Sequence, residues 1–111
     1  MNVNHAFPSR YLKAVDLGGR EITVTIDRVE LAGVGRSKEQ RAIVYFAGKQ
    51  KGLILNRVNA RRIAEIAGSD ETNSWHGVQV RLFVTQVEFS GNLVDAIRIK
   101  APAVANAGAV R

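Results

Sequence analysis

The chain has 111 residues, of which 46% are hydrophobic and 23% charged, with a net charge of +6; this is the size of one domain with a single modest core. Cysteine is absent, which excludes disulfide scaffolds, thiolate metal sites and cysteine nucleophiles and fits a reducing compartment such as a bacterial cytoplasm. No apolar run is long enough to span a membrane, and the first residues do not read as a signal segment.

Residues 1–19 are expected to form a flexible N-terminal arm. Within it, RYLKAVDL (residues 10–17) has the makings of a helical turn or a docking segment, with Tyr11, Leu12 and Leu17 as anchors. Gly18-Gly19 breaks it. A first strand starts at Arg20, where Ile22, Val24 and Ile26 alternate with Thr23, Thr25 and Asp27. The apolar parity then flips to Val29 and Leu31, which predicts a β-bulge and a bent strand. Such a strand suits a small closed barrel, because it belongs to both of the barrel's sides. The charged loop AGVGRSKEQ (32–40) lacks the glycine spacing and the Lys-Ser/Thr ending of a phosphate-binding loop. A second strand over 41–47 places Ala42, Val44 and Phe46 on one side and Ile43 and Tyr45 on the other. Residues 48–52 make a short connection to a third strand at Leu53, Ile54 and Leu55.

That strand runs straight into the one helix of the chain. Asn56 and Asn59 are both able to cap its start by accepting from free backbone N–H groups. Ala60, Ile63, Ala64, Ile66 and Ala67 form an apolar stripe, and Gly68 sits where a left-handed residue ends a helix. So short a helix is marginal alone and must be held by packing. After a polar loop at 69–74, Trp75 is expected to plug one end of the barrel. Val78, Val80, Leu82 and Val84 then alternate along a fourth strand. A second parity flip, to Val87 and Phe89, predicts a second bulge. Phe46 and Phe89 are assigned to the core. Residues 90–92 form a tight hairpin turn, residues 93–100 a fifth strand, and residues 101–111 a disordered tail.

Three strands, one helix and two strands make a β-rich domain over residues 20–100. The order is that of the OB-fold, a five-stranded Greek-key barrel with its helix between the third and fourth strands.

Charge is distributed unevenly. Residues 36–62 carry eight basic side chains against Glu39 alone, while the remainder of the chain carries 8 basic and 9 acidic residues. A one-sided block points to a polyanionic partner, against the alternative of a merely solubilising surface. The block overlaps the second and third strands and the loops beside them, where OB-folds bind oligonucleotides. The candidate nucleic-acid-binding residues are Arg36, Lys38, Arg41, Tyr45, Lys49, Lys51, Arg57 and Arg61. The cations supply phosphate contacts and steep salt dependence. Tyr45 either stacks on a base or closes the core with its hydroxyl in water. Phe83, on the same face as Arg81, is either exposed or packed under the N-terminal arm. Arg57, Arg61 and Arg62 either extend the basic track or form an ordinary solvated helix face. The expected partner is single-stranded DNA or RNA, with a homo-oligomer compatible with the chain. The competing class is a protein-interaction module or virion component that uses an exposed strand edge or the arm.

Catalysis finds little support. Asp16, Asp27, Glu30, Asp70, Glu71, Glu88 and Asp95 show neither paired nor metal-ligand spacing. His76 beside Trp75 is a lone histidine. No cofactor is expected.

The segments YLKAVDL (11–17), TVTIDRVE (23–30), KGLILNRVN (51–59), IAEIAG (63–68), WHGVQVRL (75–82) and VDAIRIK (94–100) resemble a family of small proteins encoded in bacteriophages and prophages. The resemblance implies an OB-like fold and an association with phage replication or recombination proteins in a bacterial host. It carries no catalytic residues. A typical member has a lysine after the Trp-x-Gly glycine, where this chain has Val78. In general layout the chain also resembles single-stranded DNA-binding proteins, but it ends Ala-Val-Arg where bacterial ones have an acidic tip. Recruitment of partners through such a tip is therefore not expected.

Overall fold

The computed structural model describes residues 10–102; the expected flexible start at 1–9 and most of the expected tail, 103–111, lie outside them. Along the chain run β1 (Ile22–Val34), β2 (Glu39–Phe46), β3 (Leu53–Ile54), α1 (Arg57–Ala67), β4 (Gln79–Phe89) and β5 (Asn92–Lys100), with 3₁₀ turns at Ala14–Leu17 and Thr72–Trp75. The strands form one antiparallel sheet. Its spatial order is β3-β2-β1-β4-β5, which is not the order of the sequence.

β1 holds the sheet together. Its first part, Ile22 to Thr25, pairs with β4, and its longer second part, from Ile26, pairs with β2. The register on β2 shifts between Ile26 and Arg28, so Asp27 is the extra residue of a bulge. The parity flip in the sequence marks this place. Core side chains before and after the bulge keep to one face only because one residue is inserted. Val24 and Ile26 of β1, Val44 and Phe46 of β2, Leu53 of β3, Val80 and Leu82 of β4 and Ile97 and Ile99 of β5 meet in one buried cluster with Ile63 of α1 and Trp75. Leu17 of the N-terminal segment joins that cluster, with Leu12 packed against it. Leu12 N–H donates to the Gly52 carbonyl at 2.8 Å.

Three expectations are corrected. The sheet is not closed into a barrel: among the described residues β3 and β5 do not pair. β3 is only two residues long, because Asn56 caps α1 almost at once, accepting from Asn59 N–H at 2.8 Å. The outer edge of β5 is met by α1 instead. Asn59 Nδ2 donates to the Ile97 carbonyl at 3.0 Å and Arg62 Nε to the Ile99 carbonyl at 3.2 Å. Side chains of the helix thus take the place of a neighbouring strand, which satisfies backbone groups that burial would otherwise penalise. The second bulge is also absent, since β4 and β5 pair without a register shift from Arg81 opposite Lys100 to Phe89 opposite Asn92. Phe89 is not core but 69% exposed. The hairpin end runs beyond the buried cluster, so neither of its faces is selected for apolar residues, and the parity there carries no information about register.

Candidate nucleic-acid interface

The eight predicted residues fall on several surfaces. Arg36 and Lys38 are exposed in the turn between β1 and β2, where Lys38 adopts a left-handed conformation at φ 59°. Arg41 and Tyr45 share a face of β2 with Ile43, by strand alternation, opposite to the side chains that enter the main core. Tyr45 lies across from Arg28 of β1, whose guanidinium sits 4.3 Å from the ring centroid. Arg28 is itself paired with Asp27 and Glu30, and these carboxylates, Glu30 first, raise its already high pKa. The tyrosine is therefore on the outer face, but one side of its ring is covered by a neutralised cation. Its edge meets Gly52, where an added Cβ would stand 2.8 Å from Tyr45 Cε1.

Lys49 is exposed in the turn between β2 and β3. Lys51 Nζ reaches both oxygens of Asp16, at 3.2 and 3.3 Å. Asp16 also accepts from Lys13 N–H at 2.8 Å. That backbone hydrogen bond, followed by the bond and charge of Lys51, holds the Asp16 carboxyl below the usual carboxylate range against its partial desolvation. Lys51 therefore offers less free charge than its place in the basic block suggests.

Arg57 and Arg61 are brought together with residues the charge block does not contain. A groove of about 460 Å³ runs between α1 and the β4–β5 ribbon, and Arg57, Arg61, Arg62, Arg98 and Phe83 line it. Glu65 is the one acidic residue on its wall. The helix is held there by the Asn59 and Arg62 bonds to β5, and by Ile63, which is fully buried. Arg62 also reaches Glu65 at 3.2 Å. No ion pair engages Arg57, Arg61 or Arg98 among the described residues. Arg98 donates one hydrogen bond, to the Ile97 carbonyl at 3.1 Å. Phe83 stands directly opposite Arg98 in the ribbon. Lys100 Nζ lies 4.8 Å from the Phe83 ring centroid and is tethered to Glu21 at 3.0 Å; Arg81 holds the same carboxylate at 2.8 Å. These hydrogen bonds, Arg81 first, keep Glu21 below the usual carboxylate range.

Reasoning on the sequence missed Arg28, Arg98 and Lys100. Alternation along the fifth strand puts Arg98 and Lys100 on one side, but only the pairing with β4 shows that this side holds Phe83. Arg28 is hidden in the sequence by the flanking Asp27 and Glu30.

Among the described residues no three His, Cys, Asp or Glu side chains stand together in a way that holds a metal ion. His76 Nδ1 lies 2.8 Å from the Asp27 carbonyl at the bulge, in donor geometry for the matching tautomer. No helix among the described residues is long and apolar enough to cross a membrane. No family model matches this chain, and neither a curated protein nor a solved structure is found to be similar to it.

Proposed function

We propose that this protein binds single-stranded nucleic acid without catalysing a reaction, as an OB-like domain whose barrel is left open between β3 and β5. One observation carries the reading: four arginines line a single groove against one acidic residue, with an aromatic ring in the wall. Guanidinium groups bind phosphate oxygens in a bidentate manner and stack on planar groups. An aromatic ring in a cationic groove is the usual platform for an unpaired base, worth roughly 1–3 kcal/mol per base. The groove, including Arg57 and Arg61, takes the leading part in this proposal. Tyr45, Arg41 and Lys49 on and beside β2 form a second, weaker track, because Arg28 and Lys51 nearby are matched by carboxylates. The domain's proposed setting is phage replication or recombination in a bacterial host.

Fluorescence anisotropy with a labelled oligonucleotide at two salt concentrations tests the proposal. Binding at low salt that weakens steeply at high salt is expected. Absence of binding at low salt, or binding indifferent to salt, overturns it.

A further inference from the structure

A second cavity, of about 400 Å³, opens between the N-terminal segment and the turn after β2. Its floor belongs to the core: Val24 of β1, Phe46 of β2 and Leu82 of β4, each at most 5% exposed. Leu12 and Ile22, both half-buried, form its walls. Its rim is polar, with Asp16 of the N-terminal segment and Gly48, Lys49, Gln50 and Lys51 of the turn. A cavity of this size is at the lower end of those that hold small molecules. Interiors are otherwise packed close to the density of organic crystals, and apolar space left beside a core stays dry and takes up apolar molecules.

The rim decides what else the occupant must carry. Asp16 is already satisfied, accepting from Lys13 N–H at 2.8 Å and from Lys51 at 3.2 and 3.3 Å. The charges of Asp16 and Lys51 therefore cancel. Lys49 is exposed, has no ion pair among the described residues and leaves the rim positive. Backbone donors add to it. The turn makes one backbone hydrogen bond, from Lys49 N–H to the Phe46 carbonyl at 3.1 Å, while the Gly48 and Gln50 N–H groups have no acceptor among the described residues. We infer that this cavity binds a small organic anion, a monocarboxylate with a short aliphatic chain or a single ring. Its apolar body lies on Phe46 and Leu82, and its carboxylate meets Lys49 and the turn, where charge-assisted bonds form without burying an unpaired charge. A neutral hydrocarbon would leave the donors unused, and a compact inorganic anion would leave the floor bare. The inference does not depend on the proposed function, whose leading groove shares no lining residue with this cavity.

Two-dimensional proton–nitrogen NMR spectra of nuclease-treated protein, titrated with hexanoate, heptanoate and octanoate, test it. The amides of Gly48, Lys49 and Gln50 are expected to shift together and to saturate, with octanoate reaching a Kd of about 1 mM or tighter. Each added methylene is expected to tighten binding by about fourfold, the effect of burying one CH₂. Acetate, which has no apolar body, is expected to give no saturable shift. Lys49→Gln changes an exposed side chain outside the core and is expected to weaken octanoate binding by about threefold or more. Ile22→Phe fills the cavity from its wall and is expected to abolish the octanoate shifts with an unchanged circular dichroism spectrum; the chain-length series on the wild type stands whether or not that variant folds. Absence of saturable shifts at the turn, an affinity indifferent to chain length, shifts centred instead on the exposed Phe89 and Leu93, or a Lys49→Gln protein that binds octanoate as tightly as the wild type overturns the inference.

Discussion

Asn59 of α1 donates its side-chain amide to the main-chain carbonyl of Ile97 at 3.0 Å, inside the protein, where Asn59 is 2% exposed. This bond and the neighbouring one from Arg62 fix the helix to the edge of the sheet and thereby form the wall of the groove. Asn59→Ala leaves the Ile97 carbonyl without its donor. A loss of about 1–3 kcal/mol is expected, measured by urea denaturation. The value should fall toward the lower end, because the substitution also removes Asn59 Oδ1, a buried acceptor with no partner among the described residues. A variant as stable as the wild type would show that the helix is held by Ile63 and its apolar neighbours alone.

The two basic surfaces are separable by substitution. Arg57→Ala with Arg61→Ala removes groove cations that have no ion-pair partner among the described residues. This double variant is expected to weaken oligonucleotide binding and to reduce the slope of log affinity against log salt by about 0.7 for each phosphate no longer neutralised. Lys49→Ala with Lys51→Ala is expected to have a smaller effect, since Lys51 is matched by Asp16. Titrations of both variants across a salt series give the comparison. The reverse ranking would move the binding track to β2 and the turn after it.

The sequence made one half of the fold far more legible than the other. Around Asp27 both flanking strands bury one face, so the apolar pattern records the bulge directly. Around Phe89 nothing is buried, and the same pattern means nothing. The way α1 covers the edge of the sheet depends on Asn59 and Arg62 reaching backbone carbonyls of β5. Polar side chains bonding to main chain leave no periodic trace. The groove was half legible for a related reason. Arg57 and Arg61 are near neighbours in sequence, but Phe83 and Arg98 enter from strands far along the chain, and charge counting over a contiguous block cannot join them.

Asp16 makes the junction between the N-terminal segment and the turn after β2 sensitive to acid. Its carboxyl pKa is lower in the folded protein than in the unfolded chain. The ionised form is therefore favoured by folding. The resulting stability is complete above the unfolded value of about 3.9 and is lost as pH falls through the lower, folded value. Asp16→Asn is expected to be slightly less stable than the wild type at neutral pH, by an amount that shrinks and vanishes in strong acid. Denaturant titrations of both proteins across the acid range test this. A difference that persists below the titration would trace the effect to the backbone hydrogen bond at Lys13 instead of to charge.

Gly52 is required by space. An added Cβ would stand 2.6 Å from Ile43 Cγ2 and 2.8 Å from Tyr45 Cε1. Ile43 is fully buried and has no room to retreat. Gly52→Ala is expected to destabilise the domain by about 1–3 kcal/mol through overpacking, visible as a lower thermal midpoint. An unchanged midpoint would mean that both Ile43 and Tyr45 shift aside without loss of packing.

Thr25 and Ile26 bond in both directions: Thr25 accepts from Ala47 on one side, while Ile26 donates to Val78 and accepts from Gly77 on the other. This two-residue splice joins two β-ribbons that share a single interior. Neither ribbon can melt and leave the other its hydrophobic lining. Amide protons of β2 and of the inner part of β4 should therefore exchange through one common opening event, while those of the projecting hairpin exchange earlier. The molecule would then behave as a single cooperative body carrying one independently breathing limb.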